Sequence, residues 1–137
     1  MNLQPIDRDF SVCKVRDYSQ VDWNGGYCFL GQTDEENSLV CETDRVPPNT
    51  LEREDGWRGF RIQGPLDFGL IGILARVSTL LADSGIGIFV VSTYNTDYVF
   101  TKKESADRAL SVLARAGYPI VRPAPEGVNP PGGRDCS

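Results

Sequence analysis

Residues 57–122 read WRGFRIQGPLDFGLIGILARVSTLLADSGIGIFVVSTYNTDYVFTKKESADRALSVLARAGYPIVR, and this stretch decides the fold. Trp57, Phe60 and Ile62 supply bulk, with Arg58 and Arg61 between them, so 57–63 is a strand that Gly64-Pro65 ends. Leu70, Ile73, Leu74, Val77, Leu80 and Leu81 recur at helical spacing and predict an amphipathic helix. Asp67 is placed to cap its start, Gly69 and Gly72 fall in its first turns, and Gly85 follows its end. The run 86–92, dense in Ile, Phe and Val, suits a central strand. Asn95-Thr96 turns the chain into a second strand over 97–101, making a hairpin. Ala106, Ala109, Leu110 and Leu113 mark one face of a second helix over 103–116, with Gly117 after it, and 118–122 closes as a strand. The order β-α-β-β-α-β is the ferredoxin-like split βαβ arrangement, an α+β fold with two helices on one face of a four-stranded antiparallel sheet.

Outward from this stretch the pattern weakens. Residues 1–56 carry twelve acids and five bases, and residues 57–137 carry seven acids and nine bases. The asymmetry suggests two units of different character, 1–56 and 57–122, that meet near a solvated loop at Glu52–Gly56. In the first unit, 10–16, 27–31 and 38–42 read as strands and no long helix is evident. It reads as a degenerate, strand-rich copy of the second unit whose strands extend or face the second sheet. The proline- and glycine-rich 123–137 has little to bury and reads as a disordered tail.

Composition excludes several functions. The net charge of −5 argues against a general nucleic-acid binder, which needs a basic face. The absence of histidine removes Ser-His-Asp and Cys-His catalysis and histidine metal sites. Cys13, Cys28, Cys41 and Cys136 form no C-x-x-C pair, and the first three sit in expected strands as small buried hydrophobes. No metal or cofactor motif is found. The first residues lack a basic stretch followed by an apolar run, and 68–82 is too short to span a bilayer, so a cytoplasmic, non-membrane protein is expected.

Two segments could bind a ligand. The strand-to-helix turn Gly64–Leu70 would offer backbone N–H groups to a carboxylate; the alternative is simple capping by Asp67 and close glycine packing. The hairpin tip Ser92–Tyr98 clusters hydroxyls, an amide and the Asp97 carboxylate; the alternative is an ordinary turn. Acid–base or nucleophilic catalysis finds no activating partner for Ser92 or Thr93.

The stretches Trp57-Arg58-Gly59-Phe60, Gly64-Pro65-Leu66-Asp67-Phe68, Gly72-Ile73-Leu74-Ala75, Ser84-Gly85-Ile86-Gly87-Ile88-Phe89 and Ser92–Tyr98 together resemble the ACT-domain family. The resemblance runs over about residues 8–122. It is to small bacterial proteins with two ACT-like units in one chain, and in style to the amino-acid-binding ACT units of cytosolic arginine sensors. It implies a non-enzymatic regulatory module that binds a free amino acid, pairs as a homodimer through sheet edges, and uses no cofactor. The ligand contacts it implies are Leu66, Asp67, Phe68 and Gly69, with Ser92, Thr93, Asn95, Thr96 and Asp97. The carboxylate would sit near Asp67–Gly69 and the ammonium near Asp97. A structural or interaction module that dimerises without a ligand is the alternative.

Overall fold

The structure is a computed structural model that describes residues 2–24, 26–63 and 72–122. Six strands form one antiparallel sheet: β1 (Asn2–Val15), β2 (Cys28–Gln32), β3 (Asn37–Glu42), β4 (Thr50–Gln63), β5 (Ile88–Ser92) and β6 (Asp97–Lys102), in the order β2-β3-β1-β4-β6-β5. Two helices, α1 (Ile73–Asp83) and α2 (Ala106–Arg115), complete it. The architecture is the expected mixture of a curled antiparallel sheet and two helices.

The helices form where the periodicity places them. Val77 and Leu81 of α1, and Ala109 and Leu113 of α2, are buried against Leu3, Phe60, Ile62 and Val99 of the sheet. Both helices stop at a left-handed glycine. Gly85 and Gly117 take φ of 73° and 105°, and the next residue's N–H returns to the helix, from Ile86 to Leu81 O and from Tyr118 to Leu113 O. The helices begin later than expected. Gly72 precedes α1 at φ 88° instead of lying inside it, and a 3-10 turn, Lys103–Ser105, precedes α2.

The other face of the sheet folds onto itself. Ile6, Phe10, Val40 and Phe100 are buried there, with Tyr27, Phe29, Trp57, Phe89 and Tyr98 packed around them. Phe89 stacks on Phe100 at 4.7 Å, and Phe29 of one hairpin meets Tyr98 of the other at 5.1 Å. Phe100 lies flat over Gly59, where a Cβ would come within 2.7 Å of its ring. A third cluster, Cys13, Val15, Val21, Leu39 and Cys41, lies under the connection that contains Tyr18 and Val21. There the described cysteines are indeed reduced, with Cys13 and Cys41 buried and Cys28 half-buried.

Hairpins β2–β3 and β5–β6 are superimposable in register. Cys28 pairs with Cys41 and Gln32 with Asn37; sixty positions on, Ile88 pairs with Thr101 and Ser92 with Asp97. Each is followed by a 3-10 turn, Thr43–Arg45 and Lys103–Ser105. The turns also match. Thr33 N and Thr93 N donate to Glu36 O and Thr96 O at 3.0 and 2.8 Å, and each threonine Oγ1 accepts from the N–H three residues on.

Three expectations are corrected. The stretch 118–122 does not form the expected closing strand, and the place beside β4 goes to β1. Residues 2–6 of β1 occupy that position, with Leu3 opposite Ile62, and 118–122 makes only a parallel bridge between Ile120 and Leu3. Glu52–Gly56 is not a loop but part of the first half of β4; its charged side chains are exposed because β1 supplies its pairing and neither face is covered. The run from Ile88 is an edge strand, not a central one, because only β6 pairs with it. The strands of the first half extend the sheet of the second, one of the two expected arrangements, because β1 pairs with β3 on one side and β4 on the other. The strand-to-helix turn at 64–71 and the tail at 123–137, including Cys136, lie outside the described residues.

Candidate functional site

The described part of the expected site is the β5–β6 tip, and its polar groups bond to one another. Ser92 Oγ donates to Asp97 Oδ1 at 2.6 Å, and Thr93 Oγ1 donates to Thr96 O at 3.0 Å. Thr96 Oγ1 donates to Ile62 O at the end of β4. That bond holds the tip against the strand that enters residues 64–71. Asn95 is exposed at the turn. Leu66, Asp67, Phe68 and Gly69 lie outside the described residues.

Cross-strand register shows which face each group takes, because directly opposed residues point the same way. Ser92 and Asp97 are paired and share one face. Arg61 pairs with Tyr98 on β6 and with Gln4 on β1, and those three share the opposite face, that of Phe100 and Trp57. Tyr27 reaches this row from the first hairpin. Arg61 Nη2 donates to its hydroxyl at 2.7 Å, and the guanidinium carbon lies 5.7 Å from the Tyr27 ring and 5.5 Å from the Tyr98 ring. Sequence reading treated Arg61 as a spacer in a strand. Its partner Tyr27 is 34 residues upstream, and nothing local announces the meeting.

Away from this row, several charges are neutralised in pairs. Arg58 bridges Asp9 at 2.7 Å and Asp7 at 2.9 Å, and Lys103 reaches Asp9 at 3.1 Å. The Arg58 hydrogen bond, then that of Lys103, holds the Asp9 carboxyl below its ordinary 3.8. The fully buried Ser11 donates to Asp55 at 2.5 Å and holds that carboxyl low, with help from Arg53. Glu42, also buried, accepts from Tyr27 N at 2.8 Å beside Arg8 at 3.5 Å. Gly26, at φ 79°, leaves the room this carboxylate occupies, since a Cβ there would meet Glu42 Oε2 at 2.5 Å. Buried Cys41 keeps its proton: contact with Cys13, then burial, pushes its thiol far up.

Among the described residues, two hollows stand out. One of about 50 Å³ lies between α2 and the sheet, bordered by Pro5, Arg58, Thr101, Asp107 and Arg122. The other, of about 290 Å³, is open and bordered by Arg8, Asp9, Glu42, Thr43 and Asp44. Neither is lined by an expected ligand contact. Among the described residues no group of three or more acidic, cysteine or histidine side chains could hold a metal. No described helix is long and apolar enough to cross a membrane.

Residues 52–115 match the family model described as ACT domain. A solved Agobacterium tumefaciens protein is 29% identical, with a TM-score of 0.80 over 93% of this chain and 97% of its own. A Vibrio cholerae protein described as of unknown function, possible transport protein, is 22% identical with a TM-score of 0.66, over 83% of this chain and 88% of that one. The regulatory subunit of aspartate kinase from Thermus thermophilus is 11% identical with a TM-score of 0.61, over 85% of this chain and 97% of that one. No curated protein sequence matches. The likenesses below 25% identity carry the fold alone. The chain is therefore ACT-like in its described fold, and its ACT domain match occupies residues 52–115.

Proposed function

We propose that this protein is a regulatory module, without catalytic activity, that binds a free amino acid. The observation that carries the reading is the bond from Thr96 Oγ1 to Ile62 O inside the ACT domain match. It brings the hairpin tip to the strand that enters 64–71, the two elements the ligand needs together. Likeness to an aspartate kinase regulatory subunit supports the regulatory role. On this reading Ser92, Thr93, Asn95, Thr96 and Asp97 face the ligand's ammonium end, and Leu66, Asp67, Phe68 and Gly69 its carboxylate.

Residues 1–56 are read as a second ACT-like unit that has lost its helices, a proposal that rests on the sixty-residue repeat of hairpin, turn and 3-10 segment. The unpaired outer edges of β2 and β5 favour a homodimer formed by strand addition. A cytoplasmic location goes with a sensor of free metabolites.

Thermal unfolding in the presence of each of the twenty amino acids tests the reading. A ligand at 100 times its Kd adds about 2.7 kcal/mol and raises the midpoint. No shift with any of the twenty would refute it.

A further inference from the structure

We infer that Arg61 is the anchor of a carboxylate-binding site at the rim of the aromatic layer, where the two hairpins meet. Six basic residues, Arg8, Arg45, Arg53, Arg58, Lys102 and Lys103, each have an acidic partner within 4 Å. Among the described basic residues without such a partner, Lys14, Arg16, Arg76, Arg108, Arg115 and Arg122 are exposed, whereas Arg61 is half-buried. Its Nε is shut off from water and meets no acceptor among the described residues. A guanidinium in this condition lacks the one group that suits it best, a planar anion that accepts two parallel N–H···O bonds.

The surroundings define the ligand. Tyr27 accepts one Arg61 N–H at 2.7 Å, and its own O–H is left to donate to a second carboxylate oxygen. Gln4 lies across β1 on the same face and can offer an amide. The Tyr27 and Tyr98 rings, 6.2 Å apart, present edges and faces to an apolar or flat body. A single cation between aromatic rings fits a small organic monocarboxylate better than phosphate, which calls for several cations. The inference goes beyond the amino-acid reading: Arg61 lies on the sheet face opposite Asp97, so its carboxylate site is separate from the one proposed above.

The experiment follows the Arg61 Nε–Hε resonance in ¹⁵N-labelled protein, assigned by its loss in Arg61→Lys. Probes are the twenty amino acids, propionate, benzoate and butylamine. The expected result is a saturable shift with at least one amino acid and none with butylamine. Affinity should fall tenfold or more in Arg61→Gln and be partly kept in Arg61→Lys, with the circular dichroism of both unchanged. If Arg61→Gln misfolds, the wild-type resonance alone decides. An amino acid that binds Arg61→Gln as tightly, leaving the wild-type Nε unmoved, overturns the anchor and spares the amino-acid reading. Propionate or benzoate binding as tightly as any amino acid keeps the anchor and shows that it takes carboxylates in general. A protein that responds to no probe overturns both.

Discussion

The hairpin Cys28–Glu42 and the hairpin Ile88–Lys102 share one register and one turn, yet different things cover them. The second is backed by α1 and α2, and Val99 is completely buried. The first is backed by a connection without a helix, and its equivalent, Leu39, is 1% exposed. Strand pairing and the threonine turn therefore suffice to specify the hairpin, and either cover can exclude water from its outer face. The difference lies in the side chains. Beneath the helices sit Leu3, Phe60 and Ile62, whereas the thinner cover lies over Cys13, Cys41 and Val15. Only the helix-backed half leads from its first strand into a helix, and Arg61 stands at that exit.

The sharpest way to break this equivalence is to hollow out each hairpin's inner face. Phe100→Ala empties a fully buried ring that touches Phe10 and Phe89, at a cost of about 3–5 kcal/mol. The matching Val40→Ala removes two methyl groups and costs about 1.6 kcal/mol. Urea midpoints at constant slope report both; equal losses would mean that the aromatic layer belongs to neither half. Next, Gly59→Ala forces Phe100 off the backbone and should cost about 1–3 kcal/mol, read in the same titration. A neutral result would show that the ring has room to shift.

The turns give a finer comparison. Thr33→Val and Thr93→Val each remove the side-chain oxygen that accepts an N–H three residues on, at about 0.5–1 kcal/mol. Equivalent turns give equal losses, and a gap above about 1 kcal/mol between them would separate the two. The smallest effect is electrostatic. Asp9 has a lowered pKa in the folded state, so its contribution is complete above the ordinary 3.8 and is lost as pH falls through the lowered value. The group is partly exposed, so the contribution stays below about 1 kcal/mol. Arg58→Met should flatten the thermal midpoint between pH 4 and pH 2; an unchanged acid limb would assign that stability to other carboxylates.

Much of the helix-backed half was legible because its signals are local. The i, i+3, i+4 stripes of α1 and α2, the glycines after them, and the turn at Asn95 each depend on a few neighbouring residues. The start of β1 was hidden because Pro5 and the charged Asp7, Arg8 and Asp9 interrupt its alternation, and the structure answers with a register shift between Ile6 and Phe10. The first half of β4 was hidden because a strand exposed on both faces has no apolar period. Residues 2–6 and 118–122 both suit the place beside β4, and local pattern cannot choose between distant competitors. For the candidate site, the hairpin tip could be located from its hydroxyls, but their engagement with one another could not. Arg61 was invisible because its setting comes from the curl that brings Tyr27 to Tyr98.

The most direct measurement is a calorimetric titration of the intact chain with each of the twenty amino acids. The account predicts saturable binding for at least one of them, since only the helix-backed half combines the hairpin tip with a first strand that leads into a helix. Heats of dilution alone from all twenty would contradict it.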